Sequence, residues 1–501
     1  MSKRVLSASI LILAASGLLT IHLLPDIIDT LELDKGSYKY GQEVADLPED
    51  MMSRTSCPNC SVILISIDTL RADRLGCYGY HRDTSPNMDE LAKDSMIFTN
   101  HYTVVTHTGP SHASMFTSKR PYEIGMPSNG YDMRENQTTI ASVLNGYGYK
   151  THGISATYAL KRSKITQGFE SFDTRERQVN GKRDRRASTV TNNGIEWLEG
   201  NRDGRFFLFL HYFDPHTPYM PPPEHDIFSS PAYKALNLIE WGKKKIWEPG
   251  SGWKHHTVEC AQTWGARHHC NARYDGEVRY TDHEVGRLID YARDTGMLED
   301  TVFIITSDHG ESLSEHGFYE HNGPCYEETI KIPLMIHSKG VGGRVGWLTD
   351  NMQMMPTIFE LIGVPNDVTP IGSVLTKDAE KTVITENHGY FTYQYAGVRT
   401  LGTIIEGKRH PWEAKTVAGI RDGMKYMMIP REDSMEERAY DRGKDKLEED
   451  DVFDSIGSAN TVADIRGKTM NYRQEMLDHD HSLQLSDYQT IQRLRALGYI
   501  Q

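Results

Sequence analysis

The stretch Ser61–Asp68, SVILISID, decides the fold. Its first seven residues form a continuous, β-branched apolar run. Such a run suits a strand buried on both faces, as in a parallel sheet. Asp68 closes it, and a carboxylate at the C-terminal end of a buried strand lies where open α/β sheets place their chemistry; the same residue would also cap the following turn. Two further runs repeat the pattern. Phe206–Phe213 ends in Asp214-Pro215-His216-Thr217-Pro218, and Thr301–Thr306 ends in Ser307-Asp308-His309-Gly310-Glu311. A shorter strand is read at Thr151–Ser155 and another at Lys331–His337.

Between these strands the pattern is helical, over Asn87–Asp94, Ile140–Gly146, Thr189–Glu199, Tyr274–Gly296 and Pro356–Ile362. Alternation of this kind argues an α/β chain with a mostly parallel sheet covered on both sides. From about Val383 the character changes. Ala418–Arg421 and Tyr426–Ile429 flank Asp422-Gly423, an antiparallel hairpin signal. Lys444–Asp454 reads as acidic and exposed, Arg175–Arg186 as a basic solvated loop, and Tyr488–Tyr499 as an amphipathic helix. The resulting division is 1–25 signal peptide or anchor, 26–58 linker, 59–382 catalytic domain with an insertion at about 221–272, and 383–501 C-terminal α+β subdomain.

Thr106–Pro121, THTGPSHASMFTSKRP, carries the candidate nucleophile. Thr108 lies two residues before the turn Pro110-Ser111-His112, which opens onto helix-compatible residues. A hydroxyl where a turn enters a helix N-terminus meets free backbone N–H groups that favour anions. An ordinary Ser/Thr-capped helix start is the competing reading.

Composition narrows the class. The 501 residues are 38% hydrophobic and 25% charged, too apolar for disorder, and the net charge of −14 argues against a nucleic-acid partner. It leaves room for an anionic small substrate at a metal site. Lys3 and Arg4 precede the uncharged run Val5–Leu24, which reads as a signal peptide or single membrane anchor and predicts export. Six cysteines fit that compartment, with Cys260–Cys270 the first pairing expected and Cys57–Cys60 the second.

Asp68, His216, Asp308 and His309 are oxygen and imidazole donors without thiolate. They suit a divalent cation, Mn or Zn ahead of Ca or Mg. A cation there would lower the pKa of the Thr108 hydroxyl, and a neighbouring imidazole would protonate the leaving oxygen.

The chain resembles the sulfatase family of the alkaline phosphatase superfamily. The likeness is carried by ISIDTLRADRLGCYGY, TGPSHASMFT, FLFLHYFDPHTPYMPP, YDGEVRYTDHEVGRLID, TVFIITSDHGESLSEHG and YEETIKIPLMI, and by AGIRDGMKYMMIP and LRALGYI near the end. It implies an alkaline-phosphatase-like three-layer α/β/α sandwich with a small C-terminal antiparallel sheet and helix. It also implies metal ligation by Asp68, Asp308 and His309, attack by Thr108, a catalytic His112 in place of the motif's Arg, and ester contact by His216. Ser111 and His321 are expected at the substrate, His321 where a later Lys would stand.

Three departures bear on the chemistry. Thr108 stands where sulfatases convert a Cys or Ser to formylglycine, Thr69 replaces the second Asp of an Asp-Asp pair, and Ile154-Ser155-Ala156 replaces a Lys-x-His segment. A threonine sulfate lacks the aldehyde-reforming exit of a formylglycine hydrate, whereas a phosphothreonine is opened by water or an alcohol. The expected activity is hydrolysis of a sulfate or phosphate ester, with phosphodiesters or phosphonate monoesters favoured and a small molecule, glycan or lipid carrying the ester. The alternatives are a membrane-anchored phosphoglycol or phosphoethanolamine transferase and an inactive anion- or glycan-binding homologue.

Overall fold

The computed structural model describes residues 55–479 except 158–159, 161–163, 175–176, 180–181, 185, 230–263, 322, 340, 388–389, 396–397, 403–411, 432–433 and 458. The N-terminal run, nearly all of the linker, most of the insertion and the helix expected at Tyr488–Tyr499 therefore lie outside the described residues. Among the described residues no helix is long and apolar enough to cross a membrane.

The elements that build the core are, in order, β1 Ser61–Ile67, α1 Pro86–Ala92, β2 Met96–Phe98, α2 Thr108–Thr117, α3 Ile140–Gly146, β3 Lys150–Ser155, β4 Ser171–Asp173, α4 Ala187–Glu199, β5 Phe206–Tyr212, α5 Trp264–Asp294, β6 Thr301–Thr306, β7 Leu334–His337, β8 Gly343–Val345 and α6 Met354–Ile362. The strands form one eight-stranded sheet ordered β8-β2-β7-β6-β1-β5-β3-β4. It is parallel except that β7 runs antiparallel to both neighbours, β6 and β2. The segment 307–333 stays at the C-terminal edge of β6 with a two-stranded hairpin and a four-residue helix. No helix carries the chain back across the sheet, so β7 returns in the opposite direction.

β1 has no exposed residue, as its uniform apolar run requires. Val62 and Leu64 face one layer with Phe207, Phe209, Val302 and Ile304, packed by Met115 and Phe116 of α2 and by α3 and α6. Ile63, Ile65 and Ile67 face the other with Leu208, Leu210, Phe303 and Ile305, packed by α1, α4 and α5. This is the three-layer α/β/α sandwich. Within this second helical layer, Asp282 of α5 ties α5 to α1 by accepting the Asn87 and Met88 N–H groups at the start of α1, at 3.1 and 2.8 Å.

A second, four-stranded antiparallel sheet follows, ordered β9 Val383–Asn387, β10 Thr416–Arg421, β11 Met424–Pro430 and β12 Met435–Asp441. α7, Asn460–Asp478, packs on β10 and β11 through Val462 and Ile465. Asp422 and Gly423 both have positive φ, 49° and 75°, the two-residue turn that the hairpin signal predicts.

Several expectations change. α5 begins at Trp264, ahead of the expected helix start at Tyr274, so the last residues of the expected insertion are helical. The basic segment forms a short antiparallel pairing of Arg177–Val179 with Lys182–Asp184. Within the acidic stretch Glu448 is buried, its carboxylate 2.7 Å from Lys425 Nζ. A lysine buried on β11 needs a partner, and that need outweighs local polarity. Cys57 and Cys60 are bonded to each other. Cys270 is disulfide-bonded, and Cys260, the partner expected for it, lies outside the described residues.

Candidate active site

Parallel register assembles the site. Ser66 of β1 lies opposite Thr306 of β6 and His211 of β5, so the residues that follow the strands emerge together. Asp68, Asp308 and His309 form one triad whose ligand atoms lie within 4.8 Å of one another, all buried. His309 Nε2 stands 3.9 Å from Asp68 Oδ1 and 3.5 Å from Asp308 Oδ2. Its Nδ1 lies 3.0 Å from the Gly310 carbonyl, which only accepts, so Nδ1 carries the proton and Nε2 turns its lone pair to the acids. Asp308 Oδ2 has no hydrogen-bond partner although buried. A lone pair and carboxylate oxygens left facing one another are what a divalent cation satisfies, so the residues fit one.

Asp308 is held in place from behind. The Thr69 N–H donates to its Oδ1 at 3.2 Å, and the Ser111 hydroxyl donates to its carbonyl at 2.8 Å. Thr69 adopts φ 58°, a left-handed conformation that a β-branched residue takes only where its surroundings impose it. Burial pushes the Asp308 carboxyl up, but the imidazoles of His309, His112 and His211 and the Thr69 N–H outweigh it and hold it at about 2.

Thr108 is the first residue of α2, and its Oγ1 lies 3.4 Å from His309 Nε2. The amide cradle expected at this helix start is largely taken. The Gly109 N–H donates to Asn129 Oδ1, the Ser111 N–H closes on the His107 carbonyl, and Pro110 has none. Ser111 Oγ, expected at the substrate, is committed to the Asp308 carbonyl and to Asn351 Nδ2 at 2.9 Å. His112 donates from Nδ1 to the Thr108 carbonyl at 2.7 Å and pairs through Nε2 with Ser66 Oγ at 2.9 Å. Its ring thus pins α2 to β1, and burial lowers its pKa to about 4.

His321 is brought to the centre, its ring 4.4 Å from that of His309 and 5.3 Å from that of His216. His216 sits between two cis X-Pro bonds and lies 2.8 Å through Nδ1 from the Thr217 carbonyl, so Nε2 is the proton-accepting nitrogen. Burial and the neighbouring His321 hold His216 well below its usual range, and burial lowers His321.

Two residues with no role read from the sequence join the site. His211, buried on β5, forms a second triad with His112 and Asp308 and lies 3.5 Å through Nε2 from Asp68 Oδ2. Glu311 is buried with neither oxygen hydrogen-bonded, and His321 Nδ1 stands 3.6 Å from its Oε1. Burial raises its pKa to about 8. His211 left one signal, a polar residue within FLFLHY, but only register shows what it faces.

A parallel sheet whose C-terminal edge carries two acid–imidazole triads beside a helix-start hydroxyl defines a metal-dependent ester hydrolase. The chain belongs to the sulfatase family, whose model matches residues 61–364. It is 25% identical over 411 residues to the N-acetylglucosamine-6-O-sulfatase of Bacteroides thetaiotaomicron, covering 64% of this chain and 73% of that one. The fold is shared with a protein solved in complex with its substrate D-glucosamine-2-N,6-O-disulfate, at a TM-score of 0.66, 20% identity and coverage of 84% and 99%. It is also shared with the phosphonate monoester hydrolase of Agrobacterium radiobacter, at a TM-score of 0.66, 17% identity and coverage of 83% and 96%.

Proposed function

We propose that this protein hydrolyses a phosphoric or phosphonic ester by attack of Thr108 on phosphorus, with the sulfate ester of a sugar as the second reading. The observation that carries the proposal is Thr108 Oγ1 at 3.4 Å from Nε2 of His309, a member of the Asp68–Asp308–His309 triad. A divalent cation, Mn or Zn ahead of Ca or Mg, supplies charge that favours the ionised hydroxyl and the phosphoryl oxygens. Asp68, Asp308 and His309 hold it.

Thr108 Oγ forms the bond to phosphorus as the ester P–O bond breaks. The hydroxyl proton that Thr108 gives up passes to His216 Nε2, unprotonated at rest, which hands it to the departing alcohol oxygen. Water then opens the phosphothreonine: its hydroxyl ends on phosphorus as the Thr108 Oγ–P bond breaks, its other proton returns to Thr108 Oγ, and the net reaction is hydrolysis. Threonine favours phosphorus over sulfur because a threonine sulfate has no comparable exit. The relative named for a sugar sulfate supports the second reading and a glycan as the carrier. Export by the N-terminal run agrees with the disulfide at Cys57–Cys60.

The test is a panel of nitrophenyl sulfate, phosphate, phosphodiester and phosphonate esters, each with Ca, Mg, Mn and Zn. Turnover of a phosphorus ester is expected to lead. Turnover of the sulfate alone overturns the first reading in favour of the second.

A further inference from the structure

We propose that Glu277 of α5 and Arg186, the residue before α4, are positioning residues for His216, gripping both ends of the segment Asp214–Met220 that carries it. The proposal rests on the reading of His216 as proton donor to the leaving oxygen and names what holds it in place.

The segment leaves β5 and enters no other strand or helix. It contains Pro215 and Pro218 and runs into Pro221-Pro222-Pro223, so it has few amides with which to anchor itself. At its far end the Met220 N–H donates to Glu277 Oε1 at 2.6 Å, and the Met220 carbonyl accepts from Arg186 Nη1 at 2.9 Å. The Met220 side chain is 57% exposed, so this end is held by its backbone rather than by packing. At the near end Arg186 Nε faces Asp214 Oδ1 at 3.7 Å, and the Asp214 carbonyl accepts the Thr281 hydroxyl at 3.0 Å. Arg186 Nη1 stands 3.8 Å from Glu277 Oε1, which joins the two halves of the grip.

The neighbouring sequence of α5 is shaped for this contact. Glu277, Tyr280 and Thr281 are spaced three and four residues apart and share one helix face. The Arg186 guanidinium lies over the Tyr280 ring, 4.9 Å from its centre. Gly276 lets the chain beyond Met220 lie close, since a Cβ there would meet Pro221 Cγ at 2.9 Å and the His225 carbonyl at 3.0 Å. Glu277 itself is buried, and burial with the nearby Asp214 carboxyl holds it well above its usual range. An apolar residue would fill that position of α5 without the cost of a buried carboxyl, but it could not take the Met220 N–H.

What is gripped is the ring. The His216 N–H donates to the Phe213 carbonyl at 2.8 Å, its ring stacks on Phe213 at 4.5 Å, and its Nδ1 lies 2.8 Å from the Thr217 carbonyl. These contacts are made within the same stretch of chain, so a shift of the segment carries the imidazole with it, and a small misplacement of a proton donor is costly.

Hydrogen exchange of the full-length protein, read by mass spectrometry on peptides covering 213–223, tests the grip without turnover. In Glu277→Ala these peptides are expected to exchange roughly tenfold faster or more, with β1 unchanged. Glu277→Gln should exchange like the parent, because its amide oxygen still accepts the Met220 N–H. Parent-like exchange in Glu277→Ala overturns the proposal. Should that variant not fold, Arg186→Met keeps the contact with Tyr280 but removes the donors; it is expected to loosen the same peptides, and parent-like exchange there overturns the proposal equally. Kinetics reads the effect on His216. Glu277→Ala should lose roughly ten- to a hundredfold in kcat on alkyl esters while nitrophenyl esters stay within about twofold, and Glu277→Gln should recover. Equal losses on both ester classes, or no recovery in Glu277→Gln, overturn the positioning role. His216→Ala separates this from the reading beneath it: equal losses across leaving groups there remove proton transfer at Nε2, and the exchange measurement still decides the grip.

Discussion

Thr108 Oγ1 and His309 Nε2 lie 3.4 Å apart although 201 residues separate them along the chain. The pair joins the hydroxyl of the first residue of α2 to the unprotonated nitrogen of a ring whose Nδ1 proton is committed to the Gly310 carbonyl. Thr108→Ala is expected to lower kcat by roughly a hundredfold or more, with Thr108→Ser retaining a measurable part. Steady-state kinetics on the best nitrophenyl ester decides, and unchanged turnover in Thr108→Ala removes the residue from the role.

His309→Ala deletes the imidazole of the Asp68–Asp308–His309 triad. Elemental analysis after dialysis should find less metal than in the parent, in line with the roughly 10–100-fold affinity losses seen when even outer partners of ligands are removed. Equal occupancy would refute ligation.

His216 is expected to matter most where the departing oxygen most needs a proton. His216→Ala should slow alkyl esters far more than nitrophenyl esters, whose leaving group departs as an anion. Equal losses across a leaving-group series would count against proton transfer at Nε2.

His101 provides a test of acid stability away from the metal centre. Its ring is buried against Thr349 Oγ1 at 2.9 Å, and burial lowers its pKa to about 3 against the nearby Asp350. The unfolded chain gains a proton near pH 6.5 that the folded protein refuses. The stability this residue contributes is therefore complete above about pH 6.5 and is lost as pH falls towards about 3. Urea midpoints measured across that window should fall less steeply in His101→Asn; parallel curves would sink the assignment.

Glu448 and Lys425 separate burial from composition. Both side chains are fully buried at 2.7 Å, whereas the neighbouring Glu449 is exposed. Glu448→Ala is expected to cost about 3–5 kcal/mol by leaving the ammonium unpaired, and Glu449→Ala less than about 0.5 kcal/mol. Chemical denaturation of the two variants gives the comparison, and equal small effects would mean that the lysine finds another partner or water.

The three central strands were legible in the sequence because burial on both faces leaves few polar positions to confuse the pattern. SVILISI and TVFIIT became β1 and β6 with the bounds expected. Asp68, Asp308, His309 and Thr108 were legible for a related reason, since each breaks an apolar run or opens a helix where a parallel sheet presents its edge. The direction of β7 was not legible. It depends on where residues 307–333 run, and no local preference records that path.

What the sequence determined by itself, then, is the set of elements and the residues at their ends, because backbone preference and hydrophobic patterning act over a few residues. What the tertiary structure decided is who faces whom. His112 spends its proton on the Thr108 carbonyl, His211 of one strand meets Asp68 at the end of the next, and Glu448 goes inside to meet Lys425. Each outcome depends on a buried polar atom finding its partner across the sheet or between layers. The cost of leaving such an atom alone is felt only once the chain has closed around it.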